Sequence, residues 1–518
     1  MNAAIFNFAT LSGLLTMIGI LVTALAFYSQ AWKLTQTSGL SIFAQGEVGQ
    51  GESAAVTSQK AHWRSLDILS QASVSFGVLT SSFWLVIGSL AGFTSSIKLH
   101  HPEVFGNTAE LTFGRLRSFH LNAVGYGWLS IAGVSLVVWL MPRLVRERLP
   151  FASFNFAGIG LWNLCLTAGL TGILLGHSSG IEWLEMPRLA NFGIALAGGM
   201  VATPVLLSVL TAKVDHLYVT AWYFLAALLW FPILFIIGNA PSIHNGIEHA
   251  LANWWFAHNA LGLWFTPISI GIGYYIIPKI IGRPIYSYNL SFLGFWTLAL
   301  FYSNVGVHHL IGGPVPQWVV TVSVVMSMMM LIPVIAVAIN HHMTAFRFLS
   351  KLRTSIPLRF IVIGSMMYTV SSVQGSLHSL RGLSRISHFT HYTVGHAHLG
   401  AYGFVSFVLF GAIYFALPKV MERDWPYPKW ISLHFWCAII GILVYVISLS
   451  IGGIIQGMAM LDISQPFMNS VTHTQAYMIG RSVGGGLMTL GHLVFFAHIV
   501  GLMLGALSNI RHRGELQK

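Results

Sequence analysis

The sequence predicts an all-α, polytopic transmembrane helix bundle of about thirteen spans. Three observations predict it. Of 518 residues, 55% are hydrophobic and only 8% charged, with a mean hydropathy of +0.72, whereas a soluble domain is about 25% charged. Apolar runs long enough to cross a bilayer recur along the whole chain. The basic residues gather in alternate connecting loops. Three soluble domains of ~150 residues, the reading that length alone favours, are excluded because too few charges exist to solvate them. Cys165 and Cys437 are the only cysteines, and both lie in apolar runs. They read as small packing residues, which excludes a disulfide scaffold and makes thiolate metal clusters unsuited to the chain.

The expected spans, in order, are roughly 6–28, 71–96, 118–141, 154–176, 189–212, 217–239, 250–278, 288–311, 317–340, 356–379, 393–417, 430–456 and 476–508. The first lacks a basic start and is too long for a cleaved signal core, so it is expected to anchor the chain. Residues 1–70 then form an extra N-terminal transmembrane helix and a cytoplasmic loop, with Gln45 to Ser58 expected to be mobile. Residues 71–518 form one continuous core, with no soluble domain, internal repeat or low-complexity tract expected.

With the 29–70 loop inside, 19 of the 26 Lys and Arg residues fall on the inner side, in accord with the positive-inside rule. The chain is therefore expected in a bacterial inner membrane, N-terminus periplasmic and C-terminus cytoplasmic. This distribution also accounts for the net charge of +12. It is an orientation signal spread over short loops, not a nucleic-acid surface.

Ionisable residues inside a bilayer are costly and are functional candidates by default. Six of the 23 histidines, His120, His258, His308, His309, His396 and His398, sit in or at the edge of apolar helices. His308 and His309 are ~100° apart on a helix, so one metal can take both, with His258 as a third ligand from another helix. Three imidazoles without thiolate suit copper or zinc. His396 and His398 point ~200° apart and so suit two metals on either side of one helix. An iron porphyrin takes a proximal histidine or two axial ones. His120 is a candidate second axial ligand, with Arg117 nearby for propionates. On the helix carrying His308 and His309, Tyr288, Ser291, Tyr302 and His309 fall on one face, a polar stripe leading from the inner end toward a metal. Ser291 and Tyr302 are ~16 Å apart along the axis, so a proton path there needs water.

These residues resemble the catalytic subunit of cbb3-type cytochrome c oxidases, the C family of haem–copper oxidases. The similarity runs from about residue 71 to 508. It rests on Phe113-Gly114-Arg115-Leu116-Arg117 with His120, and on Trp254-Trp255 with His258-Asn259-Ala260. Further motifs are Arg283-Pro284-Ile285-Tyr286-Ser287-Tyr288 with Ser291, Tyr302 with His308-His309, Gly395-His396-Ala397-His398 and Gln456-Gly457-Met458. The resemblance implies a haem–copper oxidase core over 71–518. It implies His120 and His398 as axial ligands of low-spin haem b and His396 as proximal ligand of high-spin haem b3. It implies copper B on His258, His308 and His309. Tyr302 matches an active-site tyrosine that is covalently joined to a copper-ligating histidine, here His258. Tyr288 and Ser291 match the family's single proton-entry path, and Arg117 a propionate partner. Glu182 and Glu185 match acidic residues near the propionates and a structural calcium. The implied activity is reduction of O2 to water with electrons from c-type cytochromes, coupled to proton uptake. No Cys-x-x-Cys-His motif occurs, so c-type haem belongs to partner subunits or a donor cytochrome c.

Departures from the family pattern are the extra helix at 6–28 and Gln374, which stands where the family has a glutamate that hydrogen-bonds the proximal histidine. His341-His342 are expected to be interfacial polar residues. His492 and His498 are expected to serve packing or haem-edge contacts. His101-Pro102-Glu103-Val104 imitates a copper motif of another oxidase family but lies in a loop and is assigned no metal. The alternative function is nitric oxide reduction with non-haem iron in place of copper. That family has a glutamate four residues after the first metal histidine, where this chain has Gly262, and lacks the active-site tyrosine. A non-redox transporter is the remaining alternative, and it does not need six histidines with two-metal geometry.

Overall fold

The computed structural model describes residues 54–240 and 245–515. Among the described residues, twelve helices are long and apolar enough to cross a membrane. They are α1 (Ser70–Lys98), α2 (Phe113–Val145), α3 (Ser153–Leu174), α4 (Arg188–Thr211), α5 (Val219–Asn239) and α6 (Gly246–Ile281), followed by α7 (Tyr288–Leu310), α8 (Gln317–Phe346), α9 (Ile356–His378), α10 (His391–Met421), α11 (Pro428–Leu461) and α12 (Met468–Ala506). Each coincides with one of the expected spans from residue 71 onward, and the described residues contain no strand. The expected span at 6–28 lies outside the described residues. The expected cytoplasmic loop is corrected in its last part. α1 continues a helix that starts earlier, Ala54–Lys98, so residues 54–70 are helical. That stretch contains neither Gly nor Pro, and a helix propagates readily through such a run once nucleated.

Burial separates the helices into an inner and an outer set. The most apolar windows of α2, α6 and α10 are 94%, 83% and 83% buried, against 33% for α7 and 39% for α11. An outer helix can present apolar side chains to lipid, and Trp296, Leu300, Trp436 and Ile447 do so.

The three inner helices share a local pattern that contradicts the expectation of no internal repeat. Each carries a histidine six residues before an aromatic residue: His120 and Tyr126, His258 and Trp264, His396 and Tyr402. Just after the histidine, each helix widens into a π-helical stretch, Ala123–Ser130, Ala260–Phe265 and Leu399–Ser406. In two of them a serine hydroxyl donates to the carbonyl five residues back, Ser130 to Gly125 and Ser406 to Ala401. Trp264 Nε1 donates to Ser130 Oγ at 3.0 Å and Trp128 Nε1 to Ser406 Oγ at 2.9 Å, which stitches the three stretches together. Each inner helix then ends three residues after a proline that precedes a basic residue, at Pro142-Arg143, Pro278-Lys279 and Pro418-Lys419. The terminating residues Arg146, Gly282 and Glu422 are left-handed, and each returns its N–H to the proline carbonyl. Only the glycine adopts that conformation freely; Arg146 and Glu422 are held there against a cost of about 1–2 kcal/mol. The repeat escapes a search by identity because only the spacing and side-chain class recur.

The wider turn of a π segment displaces the helix axis and often marks a functional site. Here all three lie next to the histidines that face the centre of the bundle.

Candidate metal centres and their surroundings

A cavity of about 470 Å³ runs between the inner helices, and His120, His258, His308, His309, His396 and His398 all line it. The structure brings together all six histidines singled out in the sequence.

At one end, the rings of His120 and His398 are parallel within 7° with centroids 6.1 Å apart. His120 Nδ1 donates to the Gly88 carbonyl at 2.7 Å and His398 Nδ1 to the Val394 carbonyl at 2.9 Å. These bonds fix both tautomers and leave each Nε2 as a metal-type donor. Two metal–nitrogen bonds of about 2 Å each, plus the ring halves, fill such a gap, so the pair fits a metal held on one axis between two imidazoles. The Gly92 position is reserved for His120, because a β-carbon there would meet its Nδ1 at 2.5 Å. Tyr445 approaches His398 Nε2 at 3.3 Å and accepts from Arg481 Nε at 3.1 Å. Neither Tyr445 nor Arg481 stands out in sequence; a lone Arg at the start of an apolar helix reads as an ordinary interfacial charge.

On the other side of the α10 helix, His396 Nδ1 donates to Gln374 Oε1 at 3.2 Å. The opposite-face arithmetic for His396 and His398 therefore holds, and Gln374 meets the histidine it was expected to meet.

Facing His396 across the cavity is the second cluster. His258, His308 and His309 offer ring nitrogens that all lie within 4.8 Å of one another, and they are the group of three among the described residues with metal-binding geometry. Ring centroids are 4.9 Å apart for His258 and His308, 5.2 Å for His258 and His309, and 4.5 Å for His308 and His309. Ser327 Oγ holds His308 Nδ1 at 2.8 Å, and Ser323 Oγ accepts the His308 backbone N–H at 2.8 Å. His309 lies flat on Trp254, 4.1 Å between centroids. The Tyr302 ring reaches His258 at 5.1 Å.

One expectation here is corrected. The α-helix of α7 stops at Tyr302, and His308 and His309 stand on a separate 3-10 turn, Gly306–Leu310. The continuous polar face proposed for Tyr288, Ser291, Tyr302 and His309 therefore does not exist as such. Tyr302 meets the histidines through the break, not through a shared helical stripe. Packing explains the break. A β-carbon at Gly306 would lie 2.3 Å from the Trp254 carbonyl oxygen, so the turn can approach α6 only with glycine there.

The approach from the basic end also differs from the expected stripe. Ser291 Oγ turns back to the Tyr288 carbonyl at 2.6 Å, and Tyr288 OH contacts the Leu217 carbonyl at 3.4 Å. Other polar groups fill the same region. Asn340 Nδ2 donates to the Ser287 carbonyl and to Tyr274 OH, while its Oδ1 accepts from the Ser287 N–H. His341 is buried, not interfacial as expected. Its Nδ1 meets Ser365 Oγ at 2.9 Å, its ring packs on Tyr274 at 4.5 Å, and its Nε2 has no partner. The hydroxyls of Tyr223 and Tyr368 are buried without a hydrogen-bond partner among the described residues, and Tyr368 lines the cavity with Tyr302. Buried polar atoms of this kind are usually satisfied by ordered water. The missed signal was Asn340-His341 inside the apolar run from Leu331 to Phe346.

At the end away from the basic loops, Arg117 pairs with Glu182 at 2.8 Å, and both line the cavity. Glu185 accepts from Asn122 Nδ2 at 2.8 Å, and its other oxygen is buried and unpartnered. Burial raises the Glu185 carboxyl above the usual carboxylate range. His101 and Glu103 form an exposed pair with each other at 3.1 Å, away from the cavity lining, in keeping with their assignment as a loop contact.

The family profile described as Cytochrome C and Quinol oxidase polypeptide I matches residues 73–487. The chain belongs to that family. Curated relatives at 31% identity cover about four fifths of it. A cytochrome c oxidase subunit 1 homolog of Agrobacterium tumefaciens (strain T37) is 31% identical over 451 residues, 83% of each chain. Cytochrome c oxidase subunit 1 of Rhodobacter capsulatus is 31% identical over 443 residues, 81% of this chain and 82% of that one. A cbb3-type cytochrome c oxidase subunit of Stutzerimonas stutzeri is 31% identical over 438 residues, 81% of this chain and 92% of that one. The cryo-EM structure of a haem–copper terminal oxidase dimer shares the fold, with a TM-score of 0.68 over 83% of this chain and 84% of that one at 15% identity. The polypeptide I family thus accounts for an integral membrane oxidoreductase subunit whose family carries haem and copper.

Proposed function

We propose that this chain is the catalytic subunit of a cbb3-type terminal oxidase, reducing O2 to water with electrons from c-type cytochromes. His120 and His398 would hold low-spin haem b, His396 high-spin haem b3, and His258, His308 and His309 copper B. When bound, these metals would relay electrons and bind oxygen. The protein's part is to hold donors and protons in position. Gly88, Val394 and Gln374 orient the proposed iron ligands, and Ser327 orients His308. Tyr302 OH carries a proton, and its ring contact with His258 suits the covalent link implied by the resemblance. Arg117 is suited to pair with a propionate once Glu182 yields. Glu182 and Glu185 remain the proposed calcium side chains, since a cation would satisfy the unpartnered Glu185 oxygen. Protons would enter from the basic end, past Tyr288 and Ser291, with Tyr274, Asn340 and Tyr368 continuing toward Tyr302. We read the basic end as cytoplasmic, with the protein in a bacterial inner membrane and the N-terminus periplasmic.

One observation carries the oxidase reading over nitric oxide reduction. A β-carbon at Gly262 would lie 1.7 Å from Tyr302 Cε1. The glutamate expected at that position in a nitric oxide reductase and the Tyr302 ring exclude each other, and this chain has the tyrosine. Metal analysis of the purified subunit tests the assignment. We expect about one copper and two haem irons per chain; a third iron with no copper would reverse it.

A further inference from the structure

Three buried polar atoms on the way to Tyr302 have no hydrogen-bond partner among the described residues: His341 Nε2, Tyr223 OH and Tyr368 OH. Only the imidazole is a base near neutral pH. His341 on α8 is 4% exposed and takes no part in the roles assigned above. Its Nδ1 meets Ser365 Oγ on α9 at 2.9 Å, and its ring packs edge-on against Tyr274 of α6 at 4.5 Å. Gly273 makes the space for it, since a β-carbon there would lie 2.8 Å from His341 Cε1. The titratable groups around it are Tyr274 on α6, Tyr368 on α9 and its neighbour His342. α7 meets α8 one turn away through Gly294 and Val337, and Tyr288 of α7 faces Tyr218 and Leu217 instead. The cations nearest in sequence are engaged elsewhere, Arg347 over the Tyr286 ring and Arg359 by the Leu352 and Arg353 carbonyls.

From His249 to Met421 the sequence contains no Asp or Glu. The approach to Tyr302 therefore offers a proton only hydroxyls, amides and imidazoles. Hydroxyls pass a proton along but do not hold an extra one near neutral pH. Intramembrane proton relays are built from Asp, Glu and His, which do. Depth also suits His341. Counted from the basic end of its own helix, His341 stands about 8 Å deep, Ser365 about 14 Å, Tyr368 about 18 Å and Tyr302 about 21 Å. Ser365 and Tyr368 are three apart on α9 and share a face, and Tyr368 lies within electrostatic reach of both Tyr274 and Tyr302. On the near side, Tyr274 OH accepts from Asn340 Nδ2 at 3.2 Å, which leaves its own proton to give. A packing role accounts for the Ser365 contact but not for a ring nitrogen left bare in the interior. An apolar side chain at that position would strand nothing.

We infer that His341 holds the proton in transit on the single entry path, between Tyr274 and Asn340 on one side and Ser365 and Tyr368 on the other. The inference rests on the oxidase reading and adds where a proton waits before it reaches Tyr302. One water between Tyr274 OH and His341 Nε2 would satisfy the bare nitrogen. A proton passed through that water forms the Nε2–H bond of an imidazolium. The Nδ1–H bond then breaks toward Ser365 Oγ, whose own proton moves on toward Tyr368. One proton leaves for each that enters, and only N–H and O–H bonds form and break. His341 acts through Tyr302, so it positions a proton and does not itself meet oxygen.

His341→Gln tests it, because glutamine can keep a hydrogen bond to Ser365 but cannot hold a proton. Oxygen turnover of the purified enzyme with its partner subunits is measured in H2O and in D2O, alongside haem spectra and copper content. We expect turnover in H2O to fall about tenfold or more with metal content unchanged. The ratio of the H2O rate to the D2O rate should rise by about half or more, because proton delivery then limits turnover. Reduction of the low-spin haem by the donor in the absence of oxygen should keep its wild-type rate. Ser365→Ala should act in the same direction. His342→Gln, whose ring lies on Phe346, should stay within about twofold of wild type. Wild-type turnover in both His341→Gln and Ser365→Ala overturns the proposal. So does a loss of turnover with an unchanged rate ratio, or an equal loss in His342→Gln. If His341→Gln loses its metals, Ser365→Ala decides alone by the same two readings. Failure of the wild-type enzyme to reduce oxygen would overturn the oxidase reading itself, an outcome separate from these.

Discussion

At the residue scale, each histidine's second nitrogen sets how its first can bind a metal. His120, His398, His396 and His308 each spend Nδ1 on a fixed partner and present Nε2 to the cavity. Among the proposed ligands, His258 alone has a buried nitrogen without a partner, Nδ1, and it is the ring that Tyr302 approaches. From the parallel pair, His120→Ala and His398→Ala should each abolish the low-spin haem signal while copper stays bound. Optical and magnetic resonance spectra check this; a six-coordinate haem retained in both variants would refute the pairing. From the 3.2 Å contact between Gln374 and His396, Gln374→Glu should lower the reduction potential of the high-spin haem. A carboxylate accepting the imidazole N–H pushes electron density toward iron and favours its ferric state. Redox titration showing an unchanged or higher potential would count against that role. Both pairs were legible in the sequence because they depend on side-chain identity and on ~100° per residue within one short helix. His341 and Tyr445 were not, since a lone polar residue in an apolar run carries no sign of what it faces.

Local backbone geometry decides matters at the scale of elements. The seven-residue spacing of Tyr302 and His309 suggested one helical face, and the true geometry is a helix end followed by a tight turn. Periodicity cannot register a break of three residues, but Gly306 marks it. Its missing side chain lets the His308–His309 turn sit against the Trp254 carbonyl. Gly306→Ala should therefore push that turn away from α6 and reduce copper occupancy by more than half, with both haem spectra preserved. Full copper content in the variant, measured by metal analysis, would show that the turn tolerates the displacement. The π stretches of α2, α6 and α10 lay equally beyond sequence periodicity, because a single wide turn hardly alters an all-apolar pattern. Their common spacing of histidine, aromatic residue and proline was nevertheless present in the chain.

For the whole molecule, composition and loop charge were enough to read a membrane bundle, and every expected span from residue 71 onward has its helix. Composition could not give the arrangement of three highly buried helices carrying histidines into one cavity, because burial on all sides and burial against lipid look alike in an apolar sequence. That arrangement sets His120 with His398 at one end and His396 opposite His258, His308 and His309 at the other. It brings Tyr302 to the second centre, with polar groups leading to it from the basic end. The central claim is that this assembly reduces oxygen and needs the Tyr302 hydroxyl to do so. Tyr302→Phe deletes that hydroxyl and leaves all six histidines in place. The measurement is oxygen turnover of the variant, with haem and copper content and nitric oxide turnover determined on the same sample. The account predicts full metal content and oxygen reduction lowered by orders of magnitude. Substantial oxygen reduction by the fully metallated variant would contradict it.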